Sequence, residues 1–167
     1  MKRLLLLIDF QEGFLNNGTS ELRDRIQSLV VDSRFATVLA TKFINLPGGP
    51  WRTVLGWEGL QTDDEQKIAV DLPKNARVIE KSTYSLPLPV ISNLAAEWPP
   101  GSIYLAGLET DVCVAICAAQ LFDHDSAPYV IADCTGTTKG DTHQEHALMT
   151  LRRIVGRSRV VNLDSID

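Results

Sequence analysis

A chain of 167 residues, 44% hydrophobic and 22% charged, has the size and composition of one folded domain that can bury a core without disulfides or metals. The same balance excludes disorder and collagen-like repetition, and a formal net charge of −5 excludes the clustered basic footprint of a nucleic-acid binder.

Lys2 and Arg3 before "LLLLI" imitate a secretory leader, but Asp9 ends the apolar run too early for a leader core or a membrane span. A cytoplasmic protein that does not contact membranes is therefore expected. The run "RLLLLIDF" from Arg3 reads as a first strand ending at Asp9, and residues 21–31 carry helical periodicity. A second strand, "FATVLATKF", starts at Phe35.

Residues 45–75 hold Pro47, Gly48, Gly49, Pro50, Gly56 and Gly59 together with Trp51 and Trp57, which predicts a long ordered loop serving as a lid or an oligomer contact. "ARVIEKS" from Ala76 is a third strand ending at Lys81, and residues 89–97 are helical. "SIYLAGL" from Ser102 is a fourth strand, running into the turn before Cys113. Residues 112–122 are almost continuously apolar and predict a helix buried all round, by the sheet and by a second subunit. "PYVIADCT" from Pro128, a helix over 142–155 and "SRVVNL" from Ser158 complete the chain. Arg152 to Arg159 form the sole basic cluster, read as a solvated helix end.

Strands alternating with helices predict an α/β sandwich of three layers, a parallel sheet with its strands buried on both faces and helices covering each side. Chemistry in such a sheet collects beyond the carboxyl ends of the strands. Asp9, Lys81 and Cys113 all stand at such ends, so neighbouring strands would bring an acid, an amine and a thiol to one rim. Each also has an ordinary structural role open to it: a turn cap for Asp9, an exposed strand end for Lys81, core packing for Cys113. A helix capped by Thr110 or Asp111 would put Cys113 in its first turn, where the helix dipole and a nearby lysine favour thiolate.

Cys113, Cys117 and Cys134 are an odd set without zinc-type spacing, so free reduced thiols are expected and neither a disulfide framework nor structural zinc. Cys117 reads as core and Cys134 as a weaker third candidate. His124 sits at a helix end, and His143 and His146 at i, i+3 spacing read as a solvated face.

Three motifs in order, "IDFQEGF", "IEKSTYS" and "AGLETDVCV", resemble those of the isochorismatase-like cysteine hydrolases, a family that includes nicotinamidases and N-carbamoylsarcosine and ureidoacrylate amidohydrolases. The resemblance spans nearly the whole chain. It implies a six-stranded parallel sheet of order 3-2-1-4-5-6, a catalytic triad of Asp9, Lys81 and Cys113, and a cis peptide at Leu108 to Glu109. It further implies an oxyanion hole from the N–H groups of Glu109 and Cys113, and homo-oligomers, commonly dimers or tetramers. The activity implied is hydrolysis of a small amide or carbamoyl C–N bond through a thioester, with no cofactor. Phe14 and Tyr84 by motif, and Trp51 and Trp57 by their loop, are candidates for the substrate pocket.

Departures limit the resemblance. Nicotinamidases carry an Asp-x-His metal site after strand two, where this chain reads "ATKFINLPGGPW" without histidine; no bound metal is expected and a nicotinamidase is disfavoured. Isochorismatases proper lack the nucleophilic cysteine. Glu109 stands where the family more often has a small residue, so its side chain either faces away from the pocket or repels carboxylate substrates. Among rivals, a haloacid-dehalogenase-like phosphatase needs a second Asp where Gln11 stands. A redox-reactive cysteine would leave Asp9 and Lys81 without purpose. A catalytically silent binding or structural subunit would not need the triad intact.

Overall fold

The computed structural model describes residues 2–167 as an α/β sandwich of three layers. Six parallel strands form its sheet: β1 (Leu4–Ile8), β2 (Thr37–Phe43), β3 (Arg77–Lys81), β4 (Ile103–Leu108), β5 (Tyr129–Gly136) and β6 (Val160–Val161). Their order, 3-2-1-4-5-6, is the expected one. The helices are α1 (Leu22–Val30), α2 (Pro50–Thr53), α3 (Asp63–Gln66), α4 (Leu88–Glu97), α5 (Ala115–Asp123) and α6 (Asp141–Ile154).

β1 lies at the centre, paired with β2 on one edge and β4 on the other, and all five of its residues are fully buried. Side chains alternate across a strand, so its apolar run serves two cores at once. Leu4, Leu6 and Ile8 pack with Leu94 of α4, Leu121 of α5 and Leu151 of α6. Leu5 and Leu7 pack on the other face with Ile26 and Leu29 of α1. Each such leucine stabilises the fold by about 1.5–3 kcal/mol relative to an exposed one.

One expectation about burial fails at the periphery. β3 exposes Arg77, Val78 and Glu80 and buries only Lys81, because it closes one edge of the sheet and is covered incompletely. α5 buries Cys117, Ala118 and Leu121 but leaves Ile116 and Phe122 exposed, since the sheet reaches only one side of a helix in the single chain. The run from Ser158 supplies only two paired residues, at the opposite edge.

The 45–75 segment is ordered by short helices and by contacts to the sheet's rim. A reciprocal capping box between Thr62 and Glu65 starts α3, and an antiparallel bridge joins Gln11 to Ile68. At the sheet's centre, Gly107 pairs with Ile8 at a φ of +113°, and a Cβ there would meet the Ile8 carbonyl oxygen at 2.1 Å. Only glycine allows β4 to approach β1 so closely.

Candidate active site

Strand placement reverses between β3 and β4, which opens a crevice beyond the carboxyl ends of β1 and β4. Asp9 follows β1 and Cys113 follows β4, one on each side of that crevice. Lys81 ends β3, beyond β2, and reaches across the end of β2 with Nζ 5.4 Å from the ring centroid of Phe43. The three residues expected at one rim are thus brought together. Lys81 Nζ donates to Asp9 Oδ2 at 2.6 Å and stands 3.9 Å from Cys113 Sγ. Neither side chain of the Asp9–Lys81 pair is exposed to solvent.

Further groups hold this cluster in place. Thr41 of β2, fully buried, donates to Asp9 Oδ1 at 2.6 Å and accepts the Asp9 N–H at 3.0 Å. Both oxygens of the Asp9 carboxylate are therefore engaged, and its backbone is held at a left-handed φ of 44°. Lys81 Nζ also donates to the Thr83 carbonyl at 2.9 Å and the Tyr84 carbonyl at 3.4 Å, which fixes the following turn. Gln11 clamps the rim: its side chain accepts from Phe43 N–H at 2.7 Å and donates to the carbonyls of Phe43 at 3.0 Å and Gln66 at 3.1 Å.

Cys113 lies in a π-type turn, Thr110–Val114, that leads into α5. Neither Thr110 nor Asp111 caps it, contrary to expectation. The Glu109 carbonyl instead accepts the N–H groups of Val112 and Val114, at 3.1 and 3.0 Å, and closes the turn through the backbone. The Leu108–Glu109 peptide is cis.

The electrostatics also differ from a preformed thiolate. Burial pushes the Cys113 thiol up and repulsion from the Asp9 carboxylate pushes it further, against the opposing pull of Lys81. Burial and the neighbouring carboxylate thus favour the protonated thiol over the thiolate. Burial alone would depress the Lys81 ammonium, but attraction to the Asp9 carboxylate and the hydrogen bond to it outweigh that effect and hold the group above the ordinary lysine range. The site therefore combines a neutral thiol, a permanent cation and a paired carboxylate.

Above the sulfur opens a pocket of about 300 Å³. Phe14, Trp51, Trp57 and Tyr84, the aromatic candidates, all border it, as does Phe43. They interlock: Trp51 meets Tyr84 at 4.2 Å and Phe43 at 4.8 Å between ring centroids, and Phe14 stacks on Trp57 at 5.7 Å. The 45–75 segment thus supplies one wall. Another comes from Glu109, Asp111, Thr138 and Lys139. Glu109 Oε2 accepts the Thr138 N–H at 2.7 Å, and Oε1 is buried without a hydrogen-bond partner in the protein.

The residues that follow β2 do not fit a metal. Asn45 turns its amide N–H groups toward the carbonyls of Trp57 and Gly59, at 3.1 and 2.8 Å, and the Arg52 guanidinium donates to the Asn45 carbonyl at 2.7 Å. Among the described residues no group of three or more His, Cys, Asp or Glu side chains is placed to hold an ion. None of the three histidines borders the pocket.

Residues 3–159 match the isochorismatase domain model. Among solved structures, the chain is similar to a pyrazinamidase of Pyrococcus horikoshii in complex with zinc, at 19% identity over 97% of this chain and 98% of that one, with a TM-score of 0.78. It is also similar to a nicotinamidase from Bacillus subtilis (20% identity, 97% and 99% coverage, TM-score 0.77) and to an N-carbamoylsarcosine amidase from Thermoplasma acidophilum (18%, 99% and 98%, TM-score 0.78). No curated protein sequence matches the chain significantly.

Proposed function

The chain belongs to the isochorismatase domain family, and from that premise we propose that it is a cysteine-dependent amidohydrolase cleaving the C–N bond of a small amide or carbamoyl compound. The observation that carries the reading is the buried contact of Lys81 Nζ with Asp9 Oδ2 at 2.6 Å and with Cys113 Sγ at 3.9 Å, on the floor of an aromatic pocket. The neighbours named above are amidases, which supports the reaction class.

Catalysis then proceeds in two halves. Asp9 takes the proton from Cys113 as the sulfur bonds to the substrate carbonyl carbon, and the carbonyl π pair becomes an oxyanion received by the N–H groups of Glu109 and Cys113. In comparable sites, loss of one such donor costs about 3 kcal/mol of barrier. The C–N bond breaks as Asp9 returns its proton to the departing amine, leaving a thioester. Water then attacks the thioester while Asp9 takes its proton; the C–S bond breaks and the proton passes back to sulfur. Lys81 stays protonated throughout, offsetting the charge that moves between Asp9 and Cys113.

Burial disfavours the thiolate, which supports a role for Asp9 as the base at the moment of attack. The residues after β2 leave this chemistry without a metal. Self-association is part of the same reading, with exposed Ile116 and Phe122 of α5 as apolar surface for a second copy to cover. Replacement of the nucleophile tests the reading: Cys113→Ala removes amide hydrolysis while circular dichroism and unfolding stay close to those of the parent chain. Retained turnover would place the nucleophile elsewhere.

A further inference from the structure

Two of the pocket's polar lining residues are acidic. Glu109 and Asp111 border it with Lys139 as the sole basic residue of its wall, and Lys139 is exposed at the rim. Glu109 is only 8% exposed, and one of its carboxyl oxygens is already satisfied by the Thr138 N–H. The other oxygen, Oε1, is buried without a partner in the protein, as is Asp111 Oδ1 two residues on. Buried carboxyl oxygens without donors are costly, and sites built around them discriminate strongly between ligands that supply a donor and ligands that do not. The remaining walls are ring faces and edges, Trp51, Trp57 and Tyr84 among them, which attract cations through the aromatic quadrupole.

We propose that this pocket selects amide substrates carrying a positively charged, N–H-donating group, with Glu109 and Asp111 as the residues that determine that specificity. The inference rests on the amidohydrolase reading for its reaction but not for its recognition. A cationic amine supplies the donors that Glu109 Oε1 and Asp111 Oδ1 lack, and the aromatic walls tolerate its charge. A carboxylate substrate would face two acidic groups, with Lys139 exposed at the rim and Lys81 already paired with Asp9. The motif position of Glu109 left its role open; its hydrogen bond to Thr138 and its unpartnered Oε1 support this one.

Three probes of similar size separate charge from shape: β-alaninamide bears an ammonium where butanamide bears a methyl group and succinamate a carboxylate. Binding is measured by calorimetry on Cys113→Ala, which cannot turn over, and ammonia release is measured on the unaltered enzyme. The expected result is tighter binding of β-alaninamide than of butanamide by about tenfold, with succinamate weakest. Glu109→Gln keeps an acceptor for the Thr138 N–H but removes the charge, and Asp111→Asn does the same for its neighbour; each variant narrows the gap between β-alaninamide and butanamide. A merely structural effect would weaken both probes alike. Equal binding of the three probes, preference for succinamate through Lys139, or no detectable binding of β-alaninamide overturns the proposal. Preferential binding of the cation without any ammonia release would sink the amidohydrolase reading and leave this one standing. Ammonia release with no charge preference does the reverse.

Discussion

Lys81 Nζ and Asp9 Oδ2 meet at 2.6 Å, and neither side chain has access to solvent. Lys81 ends β3 and Asp9 follows β1, two strands separated by β2, so the pair ties one edge of the sheet to its centre directly under the pocket. A buried pair of this kind is weak evidence for stability, because taking two charges out of water costs about as much as their attraction returns. Its retention in so apolar a surrounding points to use.

Breaking the pair from one side strands a charge. Lys81→Met leaves the Asp9 carboxylate buried against Thr41 alone and should destabilise the fold by about 3–5 kcal/mol, read from urea unfolding. The double variant Asp9→Asn/Lys81→Met should lose less than the two single losses added together, because it removes both charges. Strict additivity would mean that the two groups do not interact in solution.

Thr41 acts through Asp9, as a positioning residue. Thr41→Val removes the hydroxyl bonded to Asp9 Oδ1 and the acceptor of the Asp9 N–H. The expected loss is about 10- to 100-fold in kcat with a smaller change in KM, in line with one misplaced general base. Thr41→Ser restores most of the rate, which a purely packing role for the methyl group would not allow. Steady-state kinetics on all three proteins decides.

Stability should fall in alkali. Burial raises the thiols of Cys113, Cys117 and Cys134 in the folded state, and Lys81 is raised as well. A raised folded pKa means that the native state keeps protons the unfolded chain has lost. The stabilisation is thus complete below the unfolded thiol value, about 8.5, and fades as pH climbs above it. Each thiol contributes a slope of up to about 1.4 kcal/mol per pH unit. Unfolding free energies measured from pH 7 to 10.5 should decline steeply above about 8.5, and less steeply in Cys134→Ala. A flat profile would show that the thiols titrate alike in both states.

Most of the architecture was legible because β1 to β5 are written as apolar runs, and the strand-end rule then singled out Asp9, Lys81 and Cys113. Their meeting depends on strand order and on a lysine long enough to cross the end of β2, which the resemblance implied and periodicity alone could not. Thr41 was missed. In "FATVLATKF" it looks like any β-branched strand residue, and only the pairing of β1 with β2 reveals that it lies beside Asp9. Gln11 stood inside a motif without a visible task until the carbonyls it clamps were in place. The capping of the turn at Cys113 was misread because backbone groups did what Thr110 or Asp111 was expected to do. The exposed face of β3 was misread for a related reason: an apolar run does not say whether its strand is central or at an edge.

Chelation should leave the enzyme untouched. Asn45 and Arg52 present N–H donors in the segment after β2, a poor environment for a cation. Prolonged dialysis against EDTA is expected to change ammonia release by less than about twofold, against the 10- to 100-fold losses that follow damage to a metal site. A large loss restored by added zinc would overturn this.

The most direct test of a cysteine nucleophile is the covalent intermediate itself. The enzyme is mixed with a small primary amide that it hydrolyses, quenched in acid within the first turnovers, and digested for peptide mass spectrometry. An acyl group on the peptide containing Cys113, absent when the chain carries Cys113→Ala and accompanied there by loss of ammonia release, is the predicted result. Ammonia release that survives Cys113→Ala, or an acyl group carried by another residue, would contradict it.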